Sequence, residues 1–349
     1  MKNYYNTILV LSCLLLIFSS CHSDSTSYTE EMFAAIENND IAKVESIAKK
    51  QPNIVINAKN PQGQTPLEAA ADRGYLEIAE ALRRYGASVA FNEEDFGIAI
   101  LQGNEKEVLK YIAYGIDVNT QDEFGQTPIF LAVREGKTDI AKLLIEHGAQ
   151  ISYKDSGDRT PLHTAMDNGQ IETAKLLIEQ GADINVKGQY GRLPIHWAAL
   201  HGKSEAVEFL LEQGADIMSK DKDGLTPLHR AVRESRAETI KFLVEKGADL
   251  SAVDNDGWTP LFRASSQGKT DIVKLLVELG SNVNAQDNSG KTPLHWASLY
   301  DRTETVEYLI AQGADVNIKN NEGQTPLSLA ANKGYVNTVQ ILEKNGAVK

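Results

Sequence analysis

Cysteine is nearly absent from this chain. Its two copies, Cys13 and Cys21, both fall within the first 21 of 349 residues. The rest of the sequence therefore has no disulfide framework and no zinc-ligand set. Basic residues are outnumbered, 35 Lys and Arg against 48 Asp and Glu, for a net charge of −13. That balance repels phosphate backbones, so nucleic acid is not an expected partner. There is no Gly-rich phosphate loop, no HExxH and no nucleophile elbow, so nothing points to a catalytic centre, a metal or a cofactor. Long apolar runs are missing too. The stretch Ile8–Phe18 covers 11 mostly apolar residues and is too short to span a bilayer.

What the sequence does contain is repetition. The hexamer TPLHWA at Thr292 has close copies at Thr65, Thr127, Thr160, Leu193, Thr226, Thr259 and Thr325. From Thr127 onward each step is 33 residues. A fixed period of this length marks a stacked repeat array. With degenerate copies included, repeats begin near 30, 65, 94, 127, 160, 193, 226, 259, 292 and 325, about ten in all. In each, Thr caps a first helix and Pro occupies its first position. A Gly about nine residues later ends it, and a second apolar-periodic helix follows, as in TDIAKLLIE at Thr138. A turn such as Asp287–Gly290 then projects as a finger. The step from Thr65 to Glu94 is only 29 residues, which predicts a shortened finger between Gly86 and Glu94. Ser235 and Asp301 replace the helix-ending Gly, so those two turns are expected to be less regular. The first unit, which lacks Thr-Pro-Leu, and the last, with Asn337, Gln340 and Lys344 in its closing helix, read as caps.

The hexamer, the period and the trailing Gly-Ala-Asp resemble the ankyrin repeat over residues 30–349. The resemblance implies an all-α ankyrin solenoid with projecting fingers and a concave groove. It also implies that His163, His196, His229 and His295 are structural, bonding within and between the Thr-Pro loops. The repeats consume the chain after Glu30 and leave no room for a separate catalytic domain, so the chain is expected not to be an enzyme and to need no cofactor.

Positions that change from repeat to repeat are free to recognise a partner. The fifth hexamer position and the residues three and four later share a helix face. They supply Trp197, Leu200, His201, Arg230, Arg233, Arg263, Trp296 and Tyr300. The fingers add Tyr190, Leu225 and Trp258. Aromatics and Arg are the residues that carry binding energy at protein interfaces. The competing reading is that the tryptophans pad the groove and the arginines are merely solvated. A local basic and aromatic patch on an acidic chain suits an acidic protein partner.

The leader has its own logic. Residues 1–20 read as an export signal, followed by Ser19-Ser20-Cys21, which resembles the lipobox of bacterial lipoproteins, although Phe18 stands where that motif usually has Leu. The resemblance implies a lipid on Cys21 and a flexible tether over 21–29. His22, which is not Asp, points to the outer membrane. The alternative is an ordinary cleaved signal and a soluble periplasmic or secreted protein. The expected function is a monomeric protein-binding scaffold whose membrane contact is the lipid alone. The alternative function is a specific inhibitor, immunity or protective partner of one enzyme or toxin.

Overall fold

The computed structural model describes residues 26–348; the expected export signal over 1–20 and Cys21 lie outside them. Among the described residues there is no strand, and the helices form ten antiparallel pairs. Two compact units emerge. Unit 1 takes the described residues through Asp122 together with Thr127–Gln150, and unit 2 takes Glu123–Gln126 and the described residues from Ile151 onward.

The helix starts follow from the Thr-Pro pair. Thr226 is extended at φ −83°, ψ 168°, its hydroxyl accepts from the His229 amide, and Pro227 opens a helix that runs to Arg233. The proline costs nothing there, since its missing N–H would have no partner in the first turn. The helix ends are set by left-handed residues. Gly202 has φ +73°, and a Cβ at this position would sit 3.0 Å from the side chain of Arg236. That arginine donates Nε to Leu200 O at 3.0 Å, so a cation from the next repeat closes the carbonyl end of the helix. Arg302 does the same to Ser266 O.

Within unit 2, each first helix packs against its own second helix and against the first helices of adjoining repeats. The apolar hexamer positions fill that seam: Leu228, Ala231, Leu261, Leu294 and Ala297 are buried. No repeat could bury this face alone, so the core is a line of shared seams. Adjacent fingers are joined by single backbone bonds. Lys222 N–H donates to Tyr190 O (2.9 Å), Asn255 N–H to Asp223 O (3.1 Å) and Asn321 N–H to Ser289 O (3.0 Å). In the closing helix Asn337, Gln340 and Lys344 are exposed, as a cap requires.

Two expectations change. Residues 26–29 do not belong to a tether: they lie in a helix that continues to residue 37, and Tyr28 packs on the unit 1 core beside Met32 and Ile36. The aromatic ring found an apolar seat that its polar neighbours hid from a composition reading. Ser235 (φ +57°) and Asp301 (φ +54°) adopt the left-handed geometry without loosening their turns. Arg236 N–H bonds to Ala231 O just as Lys203 N–H bonds to Ala198 O across the Gly202 turn. Asp301 is further held by Thr338, whose hydroxyl donates to its carboxylate at 2.7 Å. The finger before Glu93–Gln102 is shortened as expected. An aromatic cluster stands beside it: the rings of Phe91, Phe96 and Tyr114 all lie around Tyr111 at 5.8–6.2 Å.

Candidate functional site

Two side-chain systems recur along unit 2. The first uses histidine. Nδ1 of His163, His196, His229 and His295 accepts the backbone N–H of the residue three earlier, at 3.1, 3.2, 3.3 and 3.0 Å. An amide N–H can only donate, so Nδ1 carries no proton and Nε2 does. Nε2–H then donates to a carbonyl of the following finger: Arg192, Leu225, Trp258 and Gln324 O, at 3.0–3.1 Å. Protonation would put a second donor against the amide. All four rings are fully buried, and burial pushes their pKa down, to about 4 for His163, His196 and His229. They are neutral framework residues with both ring nitrogens taken by backbone partners, and among the described residues there is no group of three His, Cys, Asp or Glu placed to hold a metal.

The second system pairs each finger with the first helix after it. The Asp nine residues before the fifth hexamer position folds one carboxylate oxygen into its own finger and offers the other to that position. Asp221 Oδ1 accepts from the amides of Asp223 and Leu225. Its Oδ2 accepts from Arg230 Nε at 2.8 Å and also from Nη2. Asp254 takes Arg263 Nε at 2.8 Å in the same way. Asp287 takes the Trp296 indole Nε1–H at 2.8 Å. Asp155, whose fifth-position partner is the short Thr164, instead binds Arg159 Nε at 2.9 Å, and this arginine with the finger amides holds its carboxyl below the usual range despite burial.

This arrangement corrects the docking list. Arg230 is wholly buried against an equally buried Asp221, with Asp223 at 3.3 Å, so it is an internal strut and not a contact residue. Such a pair persists because removing either partner strands a charge. Leu225 is buried because the finger folds back over the first helix, and Leu200 is nearly so. Trp197 is 8% exposed: the guanidinium groups of Arg192 and Arg159 stand 5.2 and 5.7 Å from its ring centroid, and His201 lies beside it. His201 Nδ1 rests against Asp167, while burial and Arg236 lower its pKa.

The remaining residues are reachable. Trp258 and Trp296 are half-buried and pack ring to ring at 4.3 Å, and Tyr300 stacks on Trp296 at 6.0 Å. Trp258 thus rests on a ring of the following repeat. Arg263 covers Trp258 at 5.1 Å and Lys291 covers Trp296 at 5.1 Å. Tyr300 and Tyr190 are 45% and 52% exposed. Arg233 is exposed beside Glu234, and Arg263 is mostly neutralised by Asp254 and Asp256. Lys291, Arg192 and Arg159, the changing finger residues directly before a hexamer, stand on these rings although they are not among the expected docking residues; their shared place in the repeat was the signal available. A polar hollow of about 380 Å³ within unit 2, lined by Asn168, Gly169, Gly202, Lys203, Ser204 and Glu205, has no histidine or cysteine.

Comparison with known proteins gives one consistent picture. The family described as ankyrin repeats (3 copies) matches residues 96–188, 155–221, 195–287, 247–320 and 279–349, and the single ankyrin repeat matches 62–92. A Caenorhabditis elegans transient receptor potential cation channel subfamily A member 1 homolog is 33% identical over 88 residues, which is 24% of this chain and only 7% of the channel. The crystal structure of the ankyrin repeat domain of Bcl-3, described as a unique member of the IκB family, superposes with a TM-score of 0.54. It is 33% identical and covers 63% of this chain and 100% of its own.

Proposed function

The chain belongs to the ankyrin repeat family, and from that premise we propose that it is a non-enzymatic docking scaffold that grips a partner protein through unit 2. Ankyrin repeats generally mediate protein–protein interaction, and the family is typically non-enzymatic. The observation that carries the reading is the strip Trp258–Trp296–Tyr300, flanked by Arg263 and Lys291. Contiguous, partly open aromatics edged by cations are what interface anchors consist of. With Arg263 held by Asp254 and Asp256, the cation that the strip offers an acidic partner is Lys291, which lies over Trp296 and bonds Ser289.

We further propose export and lipid attachment at Cys21, supported by the apolar run Ile8–Phe18 and the Ser-Ser-Cys that follows it. The protein would then act as a tethered monomer at the outer membrane or the periplasmic face. Growth with a fatty-acid analogue should label the wild-type protein and leave Cys21→Ala unlabelled; an unlabelled wild type sinks the anchor. For docking, the wild-type protein and variants are used to capture interactors from the native host, and affinity for the captured partner is measured. Trp258→Ala and Tyr300→Ala should each weaken binding by roughly 1–4 kcal/mol, with melting almost unchanged. Lys274→Ala, on the second helix of its repeat, should do neither. If both aromatic variants bind like wild type, the strip is not the docking surface.

A further inference from the structure

One rung of the finger ladder has no side-chain acceptor, whereas even Asn320 at the far end of the ladder covers the amides of Glu322 and Gln324 with its amide oxygen. Asp155, Asp221, Asp254 and Asp287 recur along unit 2, and the position between the first two holds Gly188. That finger keeps two of the backbone bonds, Gly188 N–H to Arg192 O and Gly191 N–H to Gly188 O, as Asp221 and Gly224 make theirs, but it turns differently: Tyr190 is left-handed at φ +56°, where the equivalent Asp223 is not. The amides of Tyr190 and Arg192 thus have no carboxylate above them, and Arg192 N–H turns to Gln189 O at 3.2 Å.

The consequences reach the side chains. Trp197 occupies the same hexamer position as Trp296. Trp296 Nε1–H has Asp287, whereas Trp197 Nε1–H is buried and has no hydrogen-bond partner. An indole N–H shut away from both water and an acceptor is costly, and buried groups of this kind are few in native proteins. Arg192 stands directly over this ring and 5.0 Å from the ring of Tyr190. Every other arginine among the described residues of unit 2 has an ion pair or a hydrogen bond from its guanidinium: Arg159, Arg230, Arg233 and Arg263 to carboxylates, Arg236 and Arg302 to carbonyls. Arg192 has the two rings and no acceptor, and its Nε is buried without a bond. Two adjacent donors of a carboxylate site are therefore present, and the acceptor that the flanking repeats supply internally is absent.

We propose that this acceptor comes from outside: a carboxylate side chain, Asp or Glu, of the docked partner is held by the Arg192 guanidinium and the Trp197 Nε1–H, with Tyr190 as the open wall. The inference deepens the docking reading and rests on it. It gives the partner an acidic residue at a defined place in the repeat that begins at Leu193. A guanidinium accepts a carboxylate with two parallel bonds, which suits a planar acid over an amide or a hydroxyl. The indole N–H is covered by long side chains, so entry of the acid requires Arg192 to swing off the ring. That movement breaks no ion pair.

The test reads the three indole N–H resonances of the full chain in ¹⁵N-labelled protein, assigned by Trp→Phe substitution. The probe is a blocked peptide, acetyl-Ala-Ala-Glu-Ala-Ala-amide, titrated at millimolar concentration beside its Gln counterpart. The Glu peptide should move the Trp197 N–H downfield and leave Trp296, already bonded to Asp287, in place. The Gln peptide should move neither. Gly188→Asp should place the Trp197 resonance downfield without peptide and abolish the response. Arg192→Gln, which changes a side chain outside the core, should weaken the response about tenfold, the effect of losing one charge-assisted pair. A Trp197 resonance indifferent to the Glu peptide, or equally moved by both peptides, overturns the proposal. Because this readout uses no cognate partner and a surface other than the Trp258 strip, its failure leaves the strip to stand or fall by its own variants.

Discussion

The two units carry the same helix pairs yet stitch them differently. In unit 2, four histidines bond forward into the next finger, and four aspartates bond from finger to first helix or to their own finger arginine. In unit 1 the fourth hexamer position holds Glu68 and Phe130 in place of histidine. Thr65 is capped by Glu68, Thr127 makes no side-chain cap, and the Glu93–Gln102 helix is capped by Asn92. Its repeats are tied instead by exposed or half-exposed ion pairs, Arg84 with Glu45 and Lys110 with Asp72, and by the aromatic cluster at Tyr111. A common fold thus tolerates two kinds of lateral bonding. One is buried and proton-sensitive, the other is solvated and salt-sensitive.

Acid should separate the two most. The framework histidines have folded pKa values below the unfolded 6.5, so their contribution is complete above pH 6.5 and is lost as pH falls below it, towards about 4 for His163, His196 and His229. Each can cost about 1.4 kcal/mol per pH unit in that window, so the loss in unit 2 is on the order of several kcal/mol. Hydrogen exchange at pH 7 and at pH 4.5, corrected for intrinsic rates, should show protection falling further in unit 2 than in unit 1. An equal fall would break the contrast.

Next in size is the buried strut. Arg230→Ala leaves Asp221 charged and unpaired and should cost about 3–5 kcal/mol. Arg84→Ala, which removes an exposed pair of unit 1, should cost under about 1 kcal/mol. Denaturant melts of the two variants measure the gap, and similar midpoints would show that burial of the pair does not matter.

The smallest effect sharpens the comparison inside unit 2. Trp296→Phe strands one oxygen of Asp287 and should cost about 1–3 kcal/mol. Trp197→Phe removes an unpaired donor and should come out near zero on the hydrogen-bond side. A larger loss at Trp197 than at Trp296 would contradict the missing-rung account of Gly188.

The repeat architecture was legible because it depends on period and caps, which are local. Thr-Pro starts, left-handed stops and the polar last helix all read directly from residue types. The docking residues were legible only in part, because exposure is a property of neighbours. Arg230 and Arg263 occupy equivalent positions and look alike in sequence, yet one is sealed under its finger and the other keeps a quarter of its side chain open. Trp258 and Trp296 meet only once two repeats are stacked. Tyr28 was hidden by its polar neighbours, and Trp197 needed Gly188 as much as its own position to define its surroundings.

Each forward histidine bond reaches a carbonyl 29 residues ahead, from His163 to Arg192, His196 to Leu225, His229 to Trp258 and His295 to Gln324. The bond thus works as a length gauge. Copying or deleting a whole 33-residue block restores every such contact, whereas a gain or loss of a few residues between donor and acceptor leaves a buried N–H facing the wrong atom. The one step of 29 residues, from Thr65 to Glu94, falls where no histidine takes that measurement. Engineered insertions should follow the same rule: between a framework histidine and its carbonyl, within 163–258 and 295–324, only whole repeats should be tolerated.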